Sequence, residues 1–297
     1  MSLDTFVQQL VNGLSLGSLY ALIAIGYTLV YGILRLINFA HGDIFMMAAY
    51  FAYFGIAVFF LPWWVTLIVT IALTMLLGIV IERFAYRPLR DAPKTSILIS
   101  AIGVSFLLEN LATYIFTGKP QAFPDFPALT SPIILGSISI APISILIPLV
   151  TAVLMVVLLI VINKTKTGMA MRAASVDYDT AKLMGIKINS VISMTFAIGS
   201  ALAAVGSFLW CIRYPSVLPL MGVVPGLKCF IAAVIGGIGN VKGAVLGGLI
   251  LGMAEVLLVA FFPSLSGYRD AIAFIILIVI LLFKPTGLLG EKTTEKV

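Results

Sequence analysis

The single histidine of the chain lies in a short polar stretch, ILRLINFAHGDIFMM, at residues 33–47. Arg35, Asn38, His41 and Asp43 stand close together here, whereas the runs on either side carry almost no ionisable side chains. A histidine near a carboxylate can exchange a proton, and the same polar groups can contact a solute or satisfy the backbone at helix ends. These residue types leave three interpretations: a reaction centre, a solute site, or a join between two buried helices.

The motifs of common catalytic centres are missing from the sequence. It holds no GxxxxGK[ST] nucleotide-binding loop. The stretch AHGD lacks the first glycine of an intramembrane aspartyl protease motif, and SLSG lacks that of a serine protease motif. One histidine excludes a multi-histidine metal site, and Cys211 and Cys229 lie in or beside apolar segments, as small hydrophobic residues do. We therefore expect no enzyme activity, no metal and no bound cofactor in this chain.

The composition indicates a membrane protein. Of the 297 residues, 61% are hydrophobic and only 10% are charged, whereas a soluble domain is about 25% charged. The mean hydropathy is +1.17. Continuous apolar runs of about twenty residues recur along the chain, and each can cross roughly 30 Å of hydrocarbon as a helix. We predict an all-α, polytopic bundle of about eight or nine spans that forms one transmembrane domain over residues 1–297.

The positions of Lys and Arg predict how the spans are oriented. Basic side chains collect after the third and fifth predicted spans and in the tail, at Lys284, Lys292 and Lys296, whereas the link 118–142 holds a single base. Because cytoplasmic loops are rich in Lys and Arg, this pattern predicts an N-terminus outside and a C-terminus inside the cell. The predicted spans are residues 7–32, 43–61, 63–83, 96–117, 143–162, 190–212, 222–238, 243–262 and 268–284.

The predicted span 222–238 differs from the others because it contains Pro225, Lys228 and several glycines. It either crosses the membrane or forms two half-helices that enter and leave on one side. Irregular backbone at membrane depth must be surrounded by protein or by a water-filled cavity. This requirement applies to the second alternative, in which the helix is broken.

Small residues at four-residue spacing predict where helices pack closely. Such faces allow backbone contact between helices, which stabilises association in lipid. They are Gly13, Gly17 and Ala21 in the first span, and Gly243 with Gly247 and Gly248 with Gly252 in a later one.

Two carboxylates lie in the middle of predicted spans. Glu109 and Glu255 each interrupt an apolar run, where an ionised group costs about 2.5–3.5 kcal/mol. Two interpretations remain for both residues, namely structural hydrogen bonding between helices and a place on the path of a solute.

The link 163–190, which charge places inside the cell, contains a predicted short helix. Asp177 is a candidate cap, Gly185 is a candidate stop, and Asp177, Ala181 and Gly185 follow one another at four-residue spacing. A small-residue face on an inside helix suits insertion into a groove of a partner. The alternative is an interfacial helix whose bases touch lipid headgroups.

This spacing resembles the cytoplasmic coupling loop of ABC-importer permeases, in a relaxed form of their Glu-Ala-Ala…Gly signature. Other stretches occur in the same order, namely NGLSLGSLYALIAIGYTLVYGI, LINFAHGD, IERFAYRPLR, SAIG, AAVIGGIGNVKGAVLGGLILGMAE and KPTGLLG. Together they make essentially the whole chain resemble the permease subunit of branched-chain amino acid ABC importers.

The resemblance implies a transport subunit of a bacterial inner membrane that moves leucine, isoleucine or valine inward. It also implies a homologous second permease, two cytoplasmic ATPase subunits that use ATP and Mg²⁺, and a periplasmic or lipid-anchored binding protein. Asp177, Ala181 and Gly185 would form the ATPase-coupling face. No nucleic acid partner is expected. The alternatives are the same machinery with urea, amides or other amino acids as cargo, and a stand-alone secondary transporter.

On this basis the opening stretch becomes a join between two spans at the inner side. One helix is expected to end near Gly32, and Asp43 is expected to cap the next one. The alternative is a direct place on the exit route of the solute. The candidate pathway or gate residues are Asn38, His41, Asp43, Glu109 and Glu255.

Overall fold

The computed structural model describes residues 3–90, 92–136 and 138–290, so the tail bases Lys292 and Lys296 lie outside the described residues. Within these ranges the chain is almost entirely helical, which confirms the predicted all-α class. The helices are α1 (Leu3–Leu34), α2 (His41–Tyr53), α3 (Trp63–Ile81), α4 (Lys94–Phe116), α5 (Pro127–Thr130), α6 (Ile143–Lys164), α7 (Lys166–Val176), α8 (Tyr178–Leu183), α9 (Ile188–Arg213), α10 (Val223–Gly236), α11 (Val241–Phe261) and α12 (Arg269–Phe283). Four short strands pair antiparallel, β1 (Gln121–Ala122) with β4 (Ser216–Val217) and β2 (Ile133–Leu135) with β3 (Ile138–Ile140).

Eight helices of the described chain, counted with the turns that extend them, are long and apolar enough to cross a membrane. A π-helical turn extends α2 to Val58, further turns extend α3 to Leu89, and a 3-10 turn from Pro263 leads into α12. These eight correspond to eight of the nine predicted spans. The chain is therefore a multi-pass membrane protein, and its ninth predicted span corresponds to the shorter α10.

The first helix, α1, lies at the centre of the bundle and packs most extensively against α11. In its most apolar window 89% of the residues are buried, compared with 6% for the span that contains α12. A Cβ added at Gly17 would lie 2.8 Å from the Leu249 Cα, and one at Gly252 would lie 2.3 Å from the Gly17 Cα. Only glycine allows this approach, so the predicted packing faces of α1 and α11 are confirmed.

The link 35–40, which we call the re-entrant link, turns back into the bundle after α1. Arg35 adopts a positive φ of 55°, and α2 then begins at His41, beside Gly26 of α1. The part of α1 that follows Gly26 continues to Leu34. The start of α2 therefore lies deeper in the bundle than the end of α1, by on the order of 12 Å along the axis of α1. The predicted capping role of Asp43 is wrong, since the N-cap is Ala40 and Asp43 lies in the first turn of the helix.

A half-length helix, α10, replaces the predicted span 222–238. Its 14 residues extend about 21 Å, which is less than the hydrocarbon thickness. The chain between α9 and α10 contains the extended strand β4. At the other end of α10, the N–H groups of Leu288 and Leu289 donate to its last carbonyls at 2.9 and 2.8 Å. Residues 214–236 thus consist of an extended part, which follows α9, and a single helix, α10, whose end contacts the tail after α12. They do not form two half-helices.

The base-containing links 35–40, 82–90 and 164–187 gather with the turn 237–240, which precedes Lys242, at one end of the bundle that we call the basic end. Arg35 donates to the Ser175 carbonyl at 3.5 Å, and Arg90 donates to Asn189 at 2.5 Å. These contacts bring links that are distant in sequence to the same place. Charge distribution predicts that this end faces the cell interior.

Candidate functional site

A cavity of about 220 Å³ lies where the first turns of α2 and α10 meet α4. We call it the α2–α10 cavity. Most of its wall is apolar, and three polar side chains from α2 and α4 complete it. The apolar side chains include Tyr27, Phe39, Ile102, Leu227 and Phe230, and the polar ones are Asp43, Ser105 and Glu109.

Glycines bring α2 and α10 into backbone contact beside this cavity. A Cβ added at Gly222 would lie 1.9 Å from the Gly42 carbonyl oxygen, and one at Gly226 would lie 2.9 Å from the Gly42 Cα. Both helices begin at this contact and run away from it in opposite directions. The positive ends of both helix dipoles therefore converge near the cavity.

Two carboxyl side chains, Asp43 and Glu109, line the cavity. Asp43 is 2% exposed, and its Oδ2 accepts a hydrogen bond from the Ser105 hydroxyl. Glu109 lies one turn beyond Ser105 on α4 and lines the same cavity. No Lys or Arg is among the described residues that line it. An amine or another small cation would therefore find a favourable electrostatic environment there.

His41 and Asn38 lie near this cavity without lining it. The His41 ring is buried against Gly26 and stands edge-on to Tyr27, with ring centroids 4.6 Å apart. The Asn38 Oδ1 accepts a hydrogen bond from the Tyr86 hydroxyl at 2.8 Å. Both residues thus hold the re-entrant link and the start of α2 against α1 and α3.

Glu255 belongs to a separate buried ion-pair cluster. Its carboxylate is fully buried and accepts from the Lys228 Nζ at 3.0 Å and from the Tyr20 hydroxyl at 3.1 Å. Lys228 also pairs with Asp270 at 2.7 Å, where the Asp270 side chain is 62% exposed. The cluster ties α10 to α1, α11 and α12, and it supplies the structural hydrogen bonding that was one interpretation of Glu255.

The segment predicted to couple to an ATPase forms two helices, α7 and α8. Asp177 caps α8, because its Oδ1 accepts from the N–H groups of Asp179 at 2.8 Å and Thr180 at 3.1 Å. Gly185 ends this helix with φ +81°, a conformation that glycine adopts without strain. The predicted cap and stop are therefore confirmed.

The expected continuous small-residue face is absent, because α8 is only six residues long and ends at Leu183. Ala181 is 4% exposed and is covered by the chain itself. The surface of this segment also carries apolar side chains, since Val176, Leu183 and Met184 are 87%, 87% and 79% exposed. Docking of a partner through Asp177, Ala181 and Gly185 stays a prediction.

Tyr178 fixes α8 to the rest of the bundle. Its hydroxyl donates to the carbonyl of Ile33, near the end of α1. Burial raises the pKa of Tyr178 above the usual value, and the positive charges of Arg90 and Arg35 partly oppose this shift. The phenol therefore stays protonated at neutral pH, and its hydrogen bond connects α8 to the end of α1.

Several functional features had no recognised signal in the sequence. Ser105 and the pairing of Lys228 with Glu255 depend on contacts between helices that are distant along the chain. Gly222 and Gly226 have the same four-residue spacing as the recognised packing faces, so this spacing could have indicated a close contact there. The exposed apolar surface of α7 and α8 could not be read from residue types alone.

Comparison with known proteins adds to this geometry. Residues 9–281 match the family described as "Branched-chain amino acid transport system / permease component". The chain is 43% identical to the high-affinity branched-chain amino acid transport system permease protein BraD of Pseudomonas aeruginosa, over 98% of each chain. It is 41% identical to the permease protein LivH of Escherichia coli K12, again over 98% of each chain. A probable LivH of Methanocaldococcus jannaschii is 28% identical over 92% of this chain and 89% of that protein.

A family match over nearly the whole chain and relatives above 40% identity agree with the resemblance found in the sequence motifs. The multi-pass bundle has the helices that such a protein needs. The chain belongs to the branched-chain amino acid transport permease family.

Proposed function

We propose that this chain is the permease subunit of an ATP-driven importer that carries branched-chain amino acids inward across a bacterial cytoplasmic membrane. The observation that carries the proposal is the α2–α10 cavity, in which carboxylates and apolar side chains face one small space inside a membrane protein of this family. The printed names of the relatives, which are transport permeases for branched-chain amino acids, support the cargo.

The chemistry of the cavity suits an aliphatic amino acid. The ammonium group would lie near Asp43 and Glu109, and the carboxylate would lie toward the positive ends of the α2 and α10 dipoles. The branched side chain would contact Ile102, Leu227 and Phe230. Urea has neither a charge nor an aliphatic group, so this wall favours an amino acid.

The chain is proposed to act with other subunits. It has no nucleotide-binding loop, so ATP hydrolysis would take place in two cytoplasmic ATPase subunits, and a binding protein would deliver the solute on the outer side. A second permease, either a homologue or another copy of this chain, would complete the pathway. The exposed apolar residues of α7 and α8, together with the cap at Asp177, support docking of an ATPase at this segment.

Uptake by the reconstituted complex tests the proposal. Proteoliposomes that contain the permeases and the ATPases, supplied with the binding protein, should accumulate labelled leucine only when ATP is present on the ATPase side. Unlabelled isoleucine and valine should compete, and urea should not. Uptake that needs no ATP would identify a secondary transporter, and failure of all three amino acids to compete would refute the cargo.

Variants of the cavity carboxylates test its role in that uptake. Asp43→Asn and Glu109→Gln should each lower the rate of leucine uptake about tenfold or more, because a charged hydrogen-bond partner of the ammonium is lost. Asp4→Asn, which removes a carboxylate from the first turn of α1 far from the cavity, is the matched control. Rates for the cavity variants equal to that of the control would remove the cavity from the pathway.

A further inference from the structure

A second cavity, of about 480 Å³, lies at the basic end between α1, α6, α7 and the start of α11. We call it the basic cavity. It does not include the residues of the α2–α10 cavity, and the transport proposal makes no use of it. Its size falls within the usual range of small-molecule sites.

The charged groups of the basic cavity all have the same sign. Arg35, Arg172 and Lys242 line it, and no Asp or Glu is among its described lining residues. No ion pair between described residues involves Arg172 or Lys242. Basic loops on one side of a membrane are common, but here three bases from the link 35–40, α7 and α11 line a single open cavity. Their convergence favours an anionic occupant.

A buried hydroxyl group also faces this cavity without a partner. Thr28 lies within α1, is 1% exposed, and its Oγ1 makes no hydrogen bond with the described residues. A buried polar atom is normally satisfied, because leaving it without a partner costs free energy. An occupant that accepts a hydrogen bond from Thr28 would remove this cost.

The backbone around the cavity adds to the preference for an anion. The helix α11 begins at Val241, so its positive end faces the lining formed by Gly239, Asn240 and Lys242. Gly239 adopts φ +99°, and a Cβ added at Gly32 would lie 3.5 Å from its carbonyl oxygen. The turn before α11 is thus held close to the end of α1, at the mouth of the cavity.

From these contacts we infer that the basic cavity binds a phosphate group, carried by the headgroup of an anionic membrane lipid. A phosphate diester offers oxygen acceptors to Arg172, Lys242 and Thr28 at once. The acyl chains would leave the cavity beside α6, whose surface is apolar and largely exposed. Inorganic phosphate shares the recognised chemistry, and the experiment separates the two sources.

Lipid binding to the purified full chain tests this inference. The chain is placed in nanodiscs of phosphatidylcholine with a small fraction of labelled phosphatidylglycerol, and the bound lipid is measured by native mass spectrometry. The variant Arg172→Gln/Lys242→Gln should bind phosphatidylglycerol about tenfold more weakly. The matched control Lys164→Gln/Lys166→Gln loses the same charge at neighbouring positions outside the cavity and should bind as the unmodified chain does.

The variant Thr28→Val separates binding from folding. It removes an unpartnered hydroxyl while nearly preserving the shape of the side chain, so it should weaken lipid binding several-fold without lowering the melting temperature in lipid-free detergent.

Competition by millimolar inorganic phosphate would assign the site to a free anion. Equal lipid binding by both double variants would overturn the inference. Loss of ATPase-subunit binding in Arg172→Gln/Lys242→Gln, with unchanged lipid binding, would also overturn it, in favour of a protein contact.

Discussion

Replacement of Lys228 by methionine should destabilise the bundle more than replacement of its buried partner does. Methionine preserves the length of the side chain but leaves the Glu255 carboxylate, which is fully buried, without a cation. Removal of one member of a buried ion pair typically costs about 3–5 kcal/mol. Because the Tyr20 hydroxyl still donates to Glu255, we expect the lower part of this range.

The reverse replacement, Glu255→Gln, should cost less. Lys228 then keeps its 2.7 Å pair with Asp270, whose side chain is 62% exposed and therefore remains solvated. We expect a loss of about 1 kcal/mol, which is the usual contribution of one hydrogen bond. The double variant contains no buried unpaired charge, so it should be more stable than Lys228→Met alone, with a coupling energy on the order of 2 kcal/mol.

Reversible unfolding in mixed detergent micelles, followed by tryptophan fluorescence, measures these differences. The three variants and the unmodified chain form a double-mutant cycle, and the cycle isolates the pairwise energy. The reasoning is refuted if Lys228→Met is as stable as Glu255→Gln, or if the double variant is no more stable than Lys228→Met. Either result would mean that water or another group satisfies Glu255 when Lys228 is absent.

Three further predictions concern the helix contacts. Gly222→Ala should abolish uptake by the reconstituted complex, because the new Cβ would lie 1.9 Å from a carbonyl oxygen of α2. The control Gly103→Ala should transport normally, because no atom lies within 4 Å of the Cβ added there. Asp177→Ala removes the N-cap, so it should lower the stability of α8 by about 1 kcal/mol and increase amide hydrogen exchange in this helix. Asp177→Asn should preserve the cap and leave the exchange unchanged. Tyr86→Phe should lower the free energy of unfolding by about 1 kcal/mol through loss of its 2.8 Å bond to Asn38, and an unchanged value would contradict a role in holding the re-entrant link.

The elements whose signals are local could be predicted from the sequence. Long apolar windows located eight spans, because a helix that crosses the hydrocarbon needs about twenty predominantly apolar residues in a row. The small-residue spacing of Gly13, Gly17 and Ala21 predicted a packing face on α1, and the structure places this face against α11. The cap at Asp177 and the stop at Gly185 follow from backbone chemistry within a few residues.

The features that depend on tertiary position could not be predicted in this way. The start of α2 at His41 is determined by how the link 35–40 folds back against Gly26, and the residue types of the link do not specify that path. Asp43 and Glu109 were candidates for a pathway, but their common cavity is formed by a contact between α2, α4 and α10. The identity of the pathway residues stays a prediction.

The ion pair between Lys228 and Glu255 has a consequence for biosynthesis. The two residues are separated by 27 positions, so at about 5–20 residues per second the partner of Lys228 is synthesised on the order of seconds later. During that interval a half-length helix with an ammonium group would have to stay in lipid without its counter-ion, which is unfavourable. Residues 223–236 are therefore expected to remain in the translocation channel or at the membrane surface until α11 emerges, and the two helices would enter the bundle together.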